Sequence, residues 1–212
     1  MDFSIMTVKE IITWLRNRME NNKEITIDML KEIVSSCSVI DPIAGNDAIT
    51  IFYSGGEDAI ANMLADTGNS KIRLIRRTDA FKLLSYKDKY ISFDEIVKYA
   101  IQYENPTLSK PKLESKMIDA LYGVSDAGTD TDIVGEGFWT QISSRFAAET
   151  TGDAYSLCAN ARDDRIFARD ELKQWIAAVD DNTKFGEYTK SELMLMDDSS
   201  RFYAIKEWTI SN

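Results

Sequence analysis

The chain contains no histidine. Ser-His-Asp and Cys-His nucleophile arrangements and histidine-based zinc sites are therefore excluded, and any catalysis must run on carboxylates, hydroxyls, amides, aromatic rings, lysines or arginines. Tyr53, at the end of a β-type run and just before Ser54-Gly55-Gly56, occupies the kind of strand end where α/β proteins bind ligands. Arg76-Arg77 offers two adjacent guanidinium groups of the type that fork onto phosphate. By pattern alone, Trp139 lies on an apolar helical stripe and reads as core. Glu171, within Arg169-Asp170-Glu171-Leu172-Lys173, reads as a solvated helix carboxylate. The Asp-rich runs at 126–132, 163–164, 180–181 and 197–198 lack the twelve-residue calcium loop with its closing glutamate and read as turns. Cys37 and Cys158 lie far apart, without metal-ligand spacing, and read as buried thiols.

At 212 residues, with 44% hydrophobic and 10% aromatic side chains, the chain can bury a substantial core as one domain or two tightly packed halves. Its net charge of -10 repels a nucleic-acid backbone, so no nucleic-acid partner is expected, and a small anionic ligand needs a local basic patch. No apolar run is long enough to span a bilayer, and Met1-Asp2-Phe3-Ser4 has no secretory pattern, so the chain is expected to be cytoplasmic where it is made.

The elements that position these residues follow from periodicity and punctuation. Val8, Ile11, Ile12, Leu15 and Met19 have helical spacing behind Thr7 and Glu10, and a second helix opens at Thr26 or Asp28 and ends near Cys37. Ala48 to Tyr53 is a buried strand, Glu57 to Ala65 a helix with Ile60, Met63 and Leu64 inward, and Lys71 to Ile75 a second strand. The strand-helix-strand order predicts a parallel pair. Another helix begins at Thr78-Asp79, and amphipathic helices cover 92–104 and 110–122, separated by prolines 106 and 111. A linker over 125–136 precedes a helix from Gly137 to Thr150, a strand from Tyr155 to Cys158, a polar loop over 159–166 and a helix over 170–179, with a short strand at 167–172 as the alternative. Glu192 to Met196 and Phe202 to Ile210 read as two β-like runs joined by a hairpin-like Asp197-Asp198-Ser199-Ser200. The expected class is α+β. A helix-rich lobe over 1–124, with strands near 48–53 and 71–75, is followed by the linker and a C-terminal α/β lobe over 137–212 built on a small, partly parallel sheet. The site is expected between the lobes of one compact unit.

Three motifs in order carry a resemblance. The first is Ile51-Phe52-Tyr53-Ser54-Gly55 with Asp58-Ala59 and Ala65-Asp66-Thr67-Gly68, the second Phe138-Trp139 with Ser143, Phe146-Ala147 and Gly152, and the third Phe167-Ala168-Arg169-Asp170-Glu171-Leu172. Together they resemble the ADP-ribosyl cyclase / NAD glycohydrolase family over roughly residues 50–172. The resemblance implies a cyclase-like fold with Glu171 as the catalytic carboxylate. It also implies that Trp139 and Tyr53 flank nicotinamide, that Ser54 and Ser143 lie at the substrate, Ser143 beside the reacting ribose, and that Phe167 lines the pocket. NAD or NADP enters as substrate, with no cofactor. Where the animal enzymes carry Leu-Glu-Asp-Thr, this chain has Leu74-Ile75-Arg76-Arg77-Thr78, so Arg76 and Arg77 become candidate phosphate contacts. The secreted enzymes' cysteines are absent, which matches a reduced version of the kind found as bacterial toxin or effector domains. Such a domain would be exported without a cleavable signal peptide, act in a target-cell cytosol and be accompanied by an immunity or chaperone protein.

The expected activity is cleavage of the nicotinamide–ribose bond, with cyclisation as a second outcome. Nicotinamide leaves as a neutral base from a cation, so no general acid is needed, and one carboxylate suffices to stabilise the ribosyl cation. Two other classes remain open: a non-catalytic module that binds NAD or ADP-ribose, and an acidic structural or interaction protein.

Overall fold

The computed structural model describes residues 2–53, 58–123, 137–157 and 170–211. Ser54, Cys158, Phe167, the 125–136 linker and the 159–166 loop lie outside them. Helix α1 (Val8–Glu20) starts at a reciprocal cap, in which Thr7 Oγ1 accepts the Glu10 amide and Glu10 accepts the Thr7 amide at 2.8 Å. Helix α2 (Ile27–Ser36) is capped by Thr26. Strand β1 (Ile49–Tyr53), helix α3 (Asp58–Asp66) and strand β2 (Ile72–Arg73) follow, and a 3-10 turn (Ile75–Arg77) leads into α4 (Asp79–Leu84). Helices α5 (Phe93–Glu104) and α6 (Lys110–Tyr122) are next, α5 starting at a Ser92–Glu95 capping box and α6 admitting Pro111 in its first turn. The chain continues through α7 (Phe138–Ala148), β3 (Ala154–Leu157), α8 (Leu172–Ala178), β4 (Lys184–Phe185), β5 (Tyr188–Thr189), α9 (Lys190–Met194) and α10 (Asp198–Ser211). The protein is α+β, and no helix among the described residues is long and apolar enough to cross a membrane.

Two compact units interleave in sequence: residues 1–38 with 79–142, and 39–78 with 143–212. These units differ in extent from the expected lobes at 1–124 and 137–212. The strand segments assigned to an N-terminal lobe belong with the C-terminal part, because β1 pairs in parallel with β3 about a hundred residues later.

The first unit is helical. Helix α5 packs on α1, α2, α4 and α6, burying Phe93, Ile96, Val97, Ala100 and Ile101. Phe93 meets Phe138 edge to face, with ring centres 5.5 Å apart. The start of α7 lies so close to the end of α6 that a Cβ on Gly137 would overlap the Gly123 amide and the Tyr122 backbone. Gly137→Ala is therefore expected to lower unfolding free energy by about 2 kcal/mol through overpacking, measured by urea denaturation.

The second unit holds one five-stranded sheet in the order β2-β1-β3-β4-β5, parallel except for β5. From the central β1/β3 pair, the chain crosses through α3 to β2 on one side and through α8 to β4 on the other. With right-handed crossovers these two helices cover opposite faces. The ring contacts fit that arrangement: Phe52 of β1 touches Phe146 of α7 (6.0 Å) and Phe185 of β4 (5.8 Å), and Phe185 meets Trp175 of α8 (5.1 Å). Helices α7 and α8 thus share the Phe52 face.

Three local expectations need correction. Glu192 to Met194 lies in α9 and Phe202 to Ile210 in α10, so the two runs do not form a hairpin. Thr189 and Glu192 form a capping box that starts α9, and Asp197 accepts the Ser200 amide at 2.8 Å, making the Asp-Asp-Ser-Ser run a helix start. The actual hairpin is the β4–β5 pair, turned at Gly186 with φ of 60°. On α3 the inward residue is Ala61, while Ile60 and Met63 face solvent.

Candidate active site

Glu171 lies at the start of α8, at its N-cap position. Its position is set by the stripe that seats α8 on the sheet. Leu172, Trp175 and Ile176 are buried, and Glu171 stands one turn before Trp175 on that same side. Only 6% of Glu171 is exposed, against the solvated position that its local sequence suggests. From α7, the buried Ser143 hydroxyl acts on its carboxylate and favours the charged form. Ser143 is three residues before Phe146, so the packing of Phe146 on Phe52 turns Ser143 towards the same sheet face.

Burial pushes the Glu171 carboxyl up to about 7 from its ordinary 4.5; the Ser143 hydroxyl opposes the rise and the neighbouring Asp170 carboxylate adds to it. Among the described residues, the ionisable neighbour acting on Glu171 is Asp170, another acid. A carboxyl held this way is near half-ionised at neutral pH, and an arriving cation favours its charged form.

Tyr53 and Arg76 form a second cluster in the same unit. Side chains alternate along β1, so Tyr53 points to the face opposite Phe52, away from the face shared by α7 and α8. Tyr53 therefore does not share a face with Glu171. The Arg76 guanidinium lies over its ring at 4.8 Å, and Arg76 Nη1 donates to Asn62 Oδ1 of α3 at 2.6 Å. Tyr53 ends β1, and Arg76 lies in the turn that follows β2. Both stand at the carboxyl edge of the parallel strands, which is also the edge from which the β3-to-α8 connection departs. Between β1 and β3 the crossovers diverge, the position at which open α/β sheets bind ligands.

Arg77 does not serve as a phosphate contact. It is buried beside Asp41, with Nη1 3.3 Å from Asp41 Oδ2, and it donates to the carbonyls of Leu64, Ala65, Asn69 and Ile72. Its fork closes the end of α3 onto β2 and is taken up by the fold.

Trp139 belongs to the first unit and meets Phe81 edge to face at 5.3 Å; along α7 it stands one turn before Ser143. Among the described residues, no three Cys, Asp or Glu side chains converge as metal ligands. Two residues of the site escaped sequence reasoning. Asn62 had no signal of its own. Trp175 was legible only as the partner, four residues on, of Glu171. Comparison of the chain with family models, curated proteins and solved structures yields no match.

Proposed function

We propose that this chain is an NAD(P)+ glycohydrolase that cleaves the nicotinamide–ribose bond, with cyclisation to a cyclic ADP-ribose product as an alternative fate of the same intermediate. The observation that carries the reading is the buried Glu171 carboxyl with the Ser143 hydroxyl acting on it, the two residues that the motif resemblance puts at the reacting ribose. The substrate brings a positive charge to this carboxylate. As the N-glycosidic bond breaks, the nicotinamide takes the bonding pair and departs neutral, and the positive charge moves to the ribosyl ring beside Glu171. A carboxylate already removed from water is worth more to that cation than a solvated one, because its field is screened less. Trp139 stacks on nicotinamide in this reading, a cation–π contact of about 0.5–2 kcal/mol. Water then gives ADP-ribose, and attack by the substrate's own adenine gives the cyclic product. The biological role proposed is that of a toxin or effector that depletes the dinucleotide in a target-cell cytosol, with an immunity or chaperone protein as partner.

Ser143 tests the arrangement without removing the carboxylate. Its hydroxyl favours the charged form of Glu171, so Ser143→Ala is expected to move the acidic limb of the rate–pH profile to higher pH and to reduce kcat roughly tenfold, in line with the loss of one hydrogen bond to a charged group. Initial rates of nicotinamide release between pH 5 and pH 9 measure both. A Ser143→Ala profile that overlays the wild type would remove Ser143 from the site.

A further inference from the structure

We infer that Arg76, seated on Tyr53 and Asn62, is the subsite for the diphosphate of the dinucleotide, so that the substrate crosses the carboxyl edge of the sheet, with its reacting ribose on the Glu171 face and its diphosphate on the Tyr53 face. The inference rests on the glycohydrolase reading and departs from the resemblance, which puts Tyr53 against nicotinamide. Strand alternation separates the two roles: Phe52 faces α7, which carries Ser143, and Tyr53 faces the other way. The guanidinium lying 4.8 Å over the Tyr53 ring already occupies that ring face with a cation, and the Asn62 carbonyl at 2.6 Å fixes its plane. A pyridinium gains little from a face that carries a positive charge, whereas a diphosphate gains a preoriented cation. The chain's net charge of -10 makes a placed cation necessary for any dianionic ligand. Arg77 cannot fill the role, since its donors are engaged inside the fold.

Two substrates that share the reacting bond distinguish the halves. Nicotinamide riboside has the bond and lacks the diphosphate; NAD has both. Arg76→Met keeps the packed methylene stem and removes the charge. It is expected to lower kcat/KM for NAD about 10- to 100-fold, mainly through KM, as for loss of charge-assisted hydrogen bonds, while riboside cleavage stays within about twofold of wild type. Tyr53→Ala should follow the same pattern. Calorimetric titration with ADP, which reports the subsite whether or not the chain turns over NAD, should show binding by wild type and about 10-fold or greater weakening in Arg76→Met. Equal losses on NAD and riboside would return Tyr53 and Arg76 to the nicotinamide side and overturn the inference. So would ADP binding that is absent in wild type or unchanged in Arg76→Met. Failure of wild type to cleave either substrate while ADP binding still depends on Arg76 would sink the glycohydrolase reading and leave this subsite standing.

Discussion

Glu171→Gln is expected to reduce kcat for NAD cleavage by about 1,000-fold, with KM changed by no more than about threefold. Removal of one preorganised electrostatic partner of a transition-state charge typically costs 100- to 1,000-fold, and here the full charge is lost from a group only 6% exposed. The amide keeps the shape and can still meet the Ser143 hydroxyl, so substrate binding should survive, and a loss confined to kcat marks an interaction made in the transition state. The wild-type pH profile should carry the signature of the same group. Only the ionised carboxylate stabilises the ribosyl cation, and burial holds the carboxyl near 7. The kcat/KM for NAD should therefore be level above that pH and fall about tenfold per unit below it. A solvated carboxylate would hold its rate to about pH 5.

The second large effect is on stability and has the opposite sign. The folded-state pKa of Glu171 is raised to about 7 from 4.5. Below pH 4.5 both folded and unfolded chains hold the proton, and the group costs nothing. Between those values the unfolded chain releases its proton while the folded chain retains it, so stability falls as pH rises. Above pH 7 the full penalty stands, about 3 kcal/mol from the size of the shift. Glu171→Gln lacks the ionisation. It should match wild type near pH 4.5 and exceed it by about 3 kcal/mol at pH 8, read from urea unfolding at the two pH values. Equal stabilities at pH 8 would place the carboxylate in water.

Much of the fold was legible because local signals agree with it. Thr7 with Glu10 and Ser92 with Glu95 mark helix starts that the structure realises as full capping boxes, and the Ile-Thr-Ile-Phe-Tyr run is β1. The errors have physical causes. Short apolar runs such as Leu193 to Met196 have no decisive period, and the capping box that precedes them, Thr189 with Glu192, decides for helix. Strands β4 and β5 are two residues each, too short to leave a pattern. The interleaving of the two units depends on β1 pairing with β3, a contact with no local signal.

The candidate site was partly legible for the same reasons. Motif resemblance pointed to Glu171 and Ser143, and in the structure the Ser143 hydroxyl acts on the Glu171 carboxylate. Local sequence could not reveal the burial of Glu171, because Asp170 and Lys173 surround it with charge; the stripe through Trp175 was the available clue. A basic pair carries no sign in sequence of burial, and the partners of Arg77 are backbone carbonyls and Asp41, which any sequence offers. Tyr53 was placed beside Trp139 by resemblance, and only the parity of β1 assigns it to the other sheet face.

Free nicotinamide released when the purified chain is incubated with NAD at pH 8 is the most direct measurement. The expected result is catalytic release, many equivalents per chain, matched by ADP-ribose or its cyclic form. Intact dinucleotide after prolonged incubation, with NAD nonetheless bound in an equilibrium titration, would contradict it and make the chain a binding module instead.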